Sequence, residues 1–300
     1  MAWAIPSDAP GAPSYPRLRV LASGSGGNCS VLHAGAGGPV LIDAGLSPRR
    51  TGRLLADAGV EPADLRAIVL THLDNDHFYA SWARALPPAA TLWVHAGHAA
   101  SHRLDPLRGD PRLRTFDGAA FTPAPGLEIA SRLARHDDEG VATLRVSFPG
   151  HPDRPGDLGF LTDLGEVTPD LVNFHAGVDV LAIESNYCPG MQAASDRPDF
   201  LKHRITGGRG HLSNQQCLEA TEAIAPTSHA VFLHLSRECN DPDTVAALHE
   251  GAEYARTIAS QDRPSRWVGC AAVREPHARL HTRPRVATVP AQPLLFGDVP

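Results

Sequence analysis

The chain has 300 residues, 42% of them hydrophobic, and a formal net charge of −6. That hydrophobic share can bury a sizeable core and excludes wholesale disorder. The acidic balance argues against a protein coated in basic surface for nucleic acid, though not against a local basic groove.

Residues 1–16, MAWAIPSDAPGAPSYP, have no basic start and no apolar run, so they read as a tail rather than a secretory signal. RLRVLA (17–22) and CSVLH (29–33) read as strands joined by SGSGGN (23–28). That loop lacks the lysine and spacing of a phosphate-binding loop and reads as a plain hairpin turn. PVLID (39–43) is a third strand. SPRRTGRLLADAG (47–59) is a helix, with Ser47 as cap, Pro48 at its first position and Gly59 as its stop. RAIVL (66–70) is a strand that leads into THLDNDHF (71–78). Helices over about 77–85 and 97–104 flank strand TLWVH (91–95). RLRTF, LEIASRL, TLRVSF and LGFLTD follow as strands, and VDVLAIE (178–184) is a buried strand by its continuous apolar pattern. SNQQCLEATEAIA (213–225) is a helix capped by Ser213. HAVFLHL (229–235) is a strand, and DPDTVAALHEGAEYAR (241–256) a helix capped by Asp241. SRWVGCAAV (265–273) closes the folded part, and 274–300 reads as an extended tail. Strands with interleaved helices in each half, with no linker between, suit one domain over 17–273 with two sheets between helices.

Cys29, Cys188, Cys217, Cys239 and Cys270 are odd in number and contain no CxxC pair. A disulfide framework or a cysteine zinc site is not expected, and a reducing cytoplasm fits best. No apolar stretch approaches a membrane span in length.

Sixteen histidines are many for this length. THLDNDH gathers His72, Asp74, Asp76 and His77 at the end of a buried strand. Residues two apart in extended chain point the same way, so His72, Asp74 and Asp76 can converge, with His77 swung round on a turn. Such a cluster without a counter-charge is costly, because each ionised group loses hydration; a divalent cation removes that cost. The alternative is a polar helix start, with Asp76 as the cap and the histidines solvated. His136, Asp163 and His234 stand at the ends of later strands, where all can face one crevice. His95, His98 and His102 read as surface or packing histidines.

These residues resemble the metallo-β-lactamase-fold hydrolases, and within them the YycJ/WalJ-like subgroup. The family pattern is THxHxDH, and this chain carries THLDNDH. VLIDAG (40–45), HDD (136–138), TDLG (162–165), ESN (184–186), RGHLSN (209–214) and HLS (234–236) appear in the expected order across residues 17–273. The resemblance implies an α/β fold, the αββα sandwich, and two divalent metal ions, zinc or manganese with iron possible. It implies one metal on His72, Asp74 and His136, a second on Asp76, His77 and His234, and Asp163 bridging them. It implies too that Asp43 is no ligand but steadies the THLDNDH turn. Asp74 departs from the family's histidine. A carboxylate is harder than an imidazole, so it should favour manganese, iron or magnesium over zinc at that site. Tyr187-Cys188 also departs from the His-Asp that follows ESN in the subgroup.

Two metals sharing a hydroxide generate a nucleophile at neutral pH and clamp a developing oxyanion, so the expected activity is metal-dependent hydrolysis. No GxSxG elbow competes with that reading. RPDFLKHRITGGRGH (197–211) is basic. Lys202, Arg204, Arg209 and the helix start at Ser213 would suit a phosphate, the alternative being a solvated basic loop. With the HLSN motif, the resemblance implies a phosphodiesterase or nuclease acting on DNA or RNA. Asp76 and His211 are the expected catalytic residues, His211 as general acid. Competing readings are a hydrolase of a small thioester, lactone or amide, and a weakly catalytic regulatory member of the fold.

Overall fold

The computed structural model describes residues 15–151 and 155–270. The expected tails at 1–16 and 274–300 lie almost wholly outside them. Strands β1 (Arg17–Ala22), β2 (Cys29–His33), β3 (Pro39–Ile42), β4 (Ala67–Val69), β5 (Thr91–His95) and β6 (Leu113–Phe116) form one sheet, to which β14 (Val268–Gly269) adds beside β1. The second sheet holds β7 (Phe121–Ala124), β8 (Leu127–Ala134), β9 (Val141–Ser147), β10 (Leu158–Leu161), β11 (Val180–Glu184), β12 (His229–Leu233) and β13 (Ala255–Ile258), in the order β13-β12-β11-β10-β9-β8-β7.

The period of two along each strand sorts its side chains between two environments. Val40, Ile42, Ala67 and Val69 of the first sheet meet Leu144, Phe160, Val180, Ala182 and Val231 of the second in a central core. The alternate residues Leu41 and Ile68 face outward onto α1 (Pro48–Asp57) and α2 (Trp82–Ala85), burying Leu55 and Trp82. On the other side Leu181, Ile183 and Phe232 pack on α3 (Pro169–His175), α6 (Asn214–Ile224) and α7 (Pro242–Leu248) through Leu171, Cys217, Ile224 and Val245. Two more short helices, α4 (Pro189–Ala194) and α5 (Asp199–Thr206), follow β11. Helix, sheet, sheet, helix is the layering expected.

Local chemistry sets the helix ends. Ser47 accepts the Arg50 N–H at the start of α1, and Ser213 and Gln216 form a reciprocal capping box on α6. Three expectations need correction. The stretch 97–104 is not an α-helix but lies in 3₁₀ turns at Ala96–His98 and His102–Leu107. The helix expected over 241–256 stops at Leu248: Gly251 turns the chain at φ +80° and β13 pairs parallel with β12. The helix expected over about 77–85 is confined to α2 at Trp82–Ala85, and α5 forms within the basic stretch at 197–211.

Strands β3 to β6 run parallel, as do β10 to β13, and β8 and β10 are both antiparallel to β9. The ends of β3, β4, β8, β10, β11 and β12 therefore supply Asp43, the THLDNDH turn, His136, Asp163, Glu184 and His234. Among the described residues no helix is long and apolar enough to cross a membrane, and all five cysteines are free.

Candidate metal centre

The seven side chains expected to be ligands come together at this edge. Asp43, Asp163 and His234 each follow a strand and adopt φ of +61°, +52° and +55°. Non-glycine residues rarely take this left-handed geometry, and it costs about 1–3 kcal/mol each where the surroundings enforce it. The turn itself is pinned by backbone bonds from Asn28 N–H to the Asp76 carbonyl at 2.6 Å and from Ala44 N–H to the His77 carbonyl at 2.8 Å. Asp76 caps no helix: the cap of α2 is Ser81. Gly45 lies so close that an added Cβ would sit 1.7 Å from the Asp76 carbonyl oxygen. Gly45→Ala should therefore destabilise the fold by about 1–3 kcal/mol, as overpacking does; an unchanged urea midpoint would contradict this packing.

The hydrogen bonds fix the imidazole tautomers. The Thr71 hydroxyl and amide donate to Asp43 at 2.9 and 2.8 Å. The hydroxyl hydrogen being spent, His72 Nδ1–H donates to Thr71 Oγ1 at 3.0 Å. His77 Nδ1–H donates to Asp43 at 2.7 Å, and His136 Nδ1–H to the Gly210 carbonyl at 3.0 Å. His234 Nδ1–H lies 2.8 Å from Asp163 Oδ1 and 3.0 Å from Glu184 Oε1. Four Nε2 lone pairs are thus turned inward, and those of His72 and His234 are buried with no hydrogen-bond partner. Asn28 Nδ2 lies 2.8 Å from His77 Nε2. Together with the Ser23 hydroxyl, which accepts the His234 amide at 2.8 Å, it makes the SGSGGN turn a buttress of the site, more than the plain hairpin turn expected.

The inward atoms fall into two sets. Asp76, His77, Asp163 and His234 offer donor atoms all within 4.8 Å of one another, and so do His72, His136 and Asp163. Asp74 Oδ2 lies 3.9 Å from both His72 Nε2 and His136 Nε2. Ligands on one ion at about 2.0–2.1 Å stand roughly 3–3.5 Å apart, so modest contraction closes either set. A histidine that binds metal through Nε2 while an oxygen holds its Nδ1–H is the usual arrangement. On orphaned nitrogens, tautomers and donor set, the residues fit a pair of divalent cations.

The electrostatics agree. Burial drives the His72 imidazole well below its ordinary pKa, and His77 beside it adds to the shift. Burial would lower His77 and His234 too, but Asp163, with Asp43 at His77, outweighs it and holds both well above the ordinary value. Burial raises Asp163, yet His234 and His77 hold it well below the carboxylate range. Positive charge is drawn to this point, and a metal binding there would displace protons.

The centre opens into a cavity of about 320 Å³ lined by Asp74, Asp76, His136, His211 and His234, with Arg197 and Arg204 on its wall. His211 Nδ1–H donates to Glu184 at 2.7 Å. Burial lowers its pKa, but Glu184 more than compensates and raises it. Glu184 is fully buried and also accepts the Leu164 and Leu212 amides at 2.9 and 3.3 Å. Its place in ESN was visible, but its link to two histidines was not. The residues expected at a phosphate are dispersed. Arg204 reaches the cavity wall while bonded to Asp137. Arg209 faces an adjoining hollow, with bonds to the Asp137 carbonyl and Asp138. Lys202 Nζ donates to the Ala193 carbonyl, and Ser213 is used as the α6 cap; neither lines the cavity. Arg197, from the same basic stretch, does line it.

The family model of the metallo-beta-lactamase superfamily matches residues 22–176. The chain belongs to that superfamily and is a metal-dependent hydrolase, a class set by the fold and by this His/Asp centre. Within it the chain falls with the WalJ/YycJ-like proteins. It is 28% identical over 231 residues to exodeoxyribonuclease WalJ of Streptococcus pneumoniae, covering 75% of this chain and 83% of that one. It is 26% identical over 226 residues to exodeoxyribonuclease YycJ of Bacillus anthracis, covering 74% and 83%. Among solved structures, the metallo-beta-lactamase fold protein YhfI of Bacillus subtilis superposes with a TM-score of 0.62 at 15% identity, over 84% of this chain and 99% of that one. The short form of human tRNase Z superposes with a TM-score of 0.58 at 14% identity, over 83% and 98%. These two likenesses concern the fold alone.

Proposed function

We propose that this protein is a dinuclear phosphodiesterase that cleaves DNA. The observation that carries the reading is the convergence of four inward Nε2 atoms and three carboxylates beneath a cavity whose wall holds His211, Arg197 and Arg204. The WalJ and YycJ relatives, named exodeoxyribonucleases, support the choice of DNA. Two bound cations would supply Lewis acidity at the phosphoryl oxygens and a hydroxide nucleophile shared between them at neutral pH.

The chain's own residues do the rest. His72, Asp74 and His136 would hold one cation and Asp76, His77 and His234 the other, with Asp163 shared by both sets. Asp43 and Thr71 lock His72 and His77 in the ligating tautomer. Arg204 and Arg197 neutralise charge on the diester, and a planar guanidinium suits phosphate. His211, protonated and held by Glu184, delivers a proton from Nε2 to the departing oxygen.

Labelled duplex and single-stranded DNA, bis-p-nitrophenyl phosphate, a lactone and a thioester, each with Mn²⁺ or Zn²⁺, test this. Turnover of the phosphodiesters is expected; hydrolysis of the lactone or thioester alone would contradict it. With the Asp74 carboxylate, each cation would have two imidazoles, one carboxylate of its own and the shared Asp163. Asp74→His should shift metal preference towards zinc by about tenfold, read by competition between Mn²⁺ and Zn²⁺. No shift would mean Asp74 is not a ligand.

A further inference from the structure

Helix α5 presents a side chain that the reaction leaves unused. Phe200 is 75% exposed, the most exposed large apolar residue among those described. Its neighbours explain which way it faces. Ile205 is buried and Leu201 packs against the same small cluster with Tyr187 and Cys239, so this side of α5 is anchored to the body. Phe200 stands off that side, one helical turn from both His203 and Arg204. Residues three and four apart lie about 5–6 Å from one another on a helix surface.

Arg204 ties that face to the metal centre. Its guanidinium pairs with Asp137, the residue after His136. Asp137 takes Nε and one terminal nitrogen, and the other terminal nitrogen has no partner among the described residues. Arg204 and Asp137 also form the shared wall between the metal cavity and an adjoining hollow lined by Asp138, His203, Gly207 and Arg209. From the metal centre outward stand Arg204, on the wall of both hollows, and one helical turn from it the exposed ring of Phe200. A phosphate with a base one step behind it matches that order of groups: guanidinium for the charge, a π face for the base. A small diester offers Phe200 nothing to contact.

We propose that α5 is the helix that engages a single-stranded DNA end. Phe200 stacks on an unpaired base next to the diester whose phosphate Arg204 holds. The inference rests on the nuclease reading and assigns its preference for strand ends with unpaired bases. Base stacking on an aromatic ring is sequence-tolerant, so the preference follows strandedness rather than sequence.

The experiment compares the metal-loaded wild type with Phe200→Ala and Phe200→Trp on a single-stranded oligonucleotide, the same oligonucleotide with abasic residues at its end, and bis-p-nitrophenyl phosphate. For Phe200→Ala, the ratio of kcat/KM on the intact oligonucleotide to that on the small diester should fall roughly tenfold, mainly through KM. Phe200→Trp should restore the ratio, and the abasic end should abolish the difference between wild type and Phe200→Ala. An unchanged ratio, or an equal loss on the abasic oligonucleotide, would overturn the role of Phe200 while leaving the nuclease reading intact. A wild type that cleaves no DNA would overturn both.

Discussion

Asp163→Asn should lower phosphodiester turnover by about a thousandfold or more and leave less than one tightly held metal per chain. Asparagine is the informative replacement. Asp163 sits at φ +52°, and asparagine tolerates that conformation where alanine would add strain. The change keeps the volume and removes one negative charge at the point both cation sites share. Each bound cation is worth several kcal/mol of transition-state stabilisation, and about 1.4 kcal/mol is tenfold in rate, so loss of the pair reaches this magnitude. The same variant removes the carboxylate that holds His77 and His234 above their ordinary pKa, so neither should stay protonated as readily in the metal-free protein. Turnover within tenfold of wild type, with two metals retained, would show that Asp163 does not bridge.

Glu184→Gln should weaken metal binding by about 10–100-fold and lower turnover by roughly a hundredfold. Glu184 is a positioning residue. Its carboxylate accepts from His234 Nδ1, His211 Nδ1 and the Leu164 and Leu212 amides. All four partners are donors, so the glutamine NH₂ meets a donor wherever it turns. A buried polar group left without a partner costs about 1–3 kcal/mol, and Tm should fall with it. Metal affinity separates this role from a purely structural one: a variant with lowered Tm but wild-type metal affinity and turnover would reduce Glu184 to a packing residue.

Much of the architecture was legible because the central strands of each sheet are buried on both faces. β11 and β12 read as apolar runs, VLAIE and HAVFL, and capping at Ser47, Ser213 and Asp241 marked three helices. β13 was lost inside an expected helix because only its pairing to β12 distinguishes it. α3 was missed although Thr168 caps it and Pro169 opens it, and α5 was hidden by the glycines that follow it. The residues that converge on the metal centre could be named because they stand at strand ends in recognisable motifs. Glu184 could not be given its place, since a carboxylate ending an apolar strand says nothing about which histidines it will meet. Lys202 and Arg197 show the same limit: both lie in one basic stretch, and only the fold of α4 and α5 decides that Arg197 faces the cavity.

Metal content tests the central claim most directly. Purified protein, stripped by chelation and then titrated with Mn²⁺ or Zn²⁺, should bind two equivalents per chain, with a rise in Tm that follows occupancy. A plateau at one equivalent or none, in correctly folded protein, would contradict a two-cation centre built on Asp163.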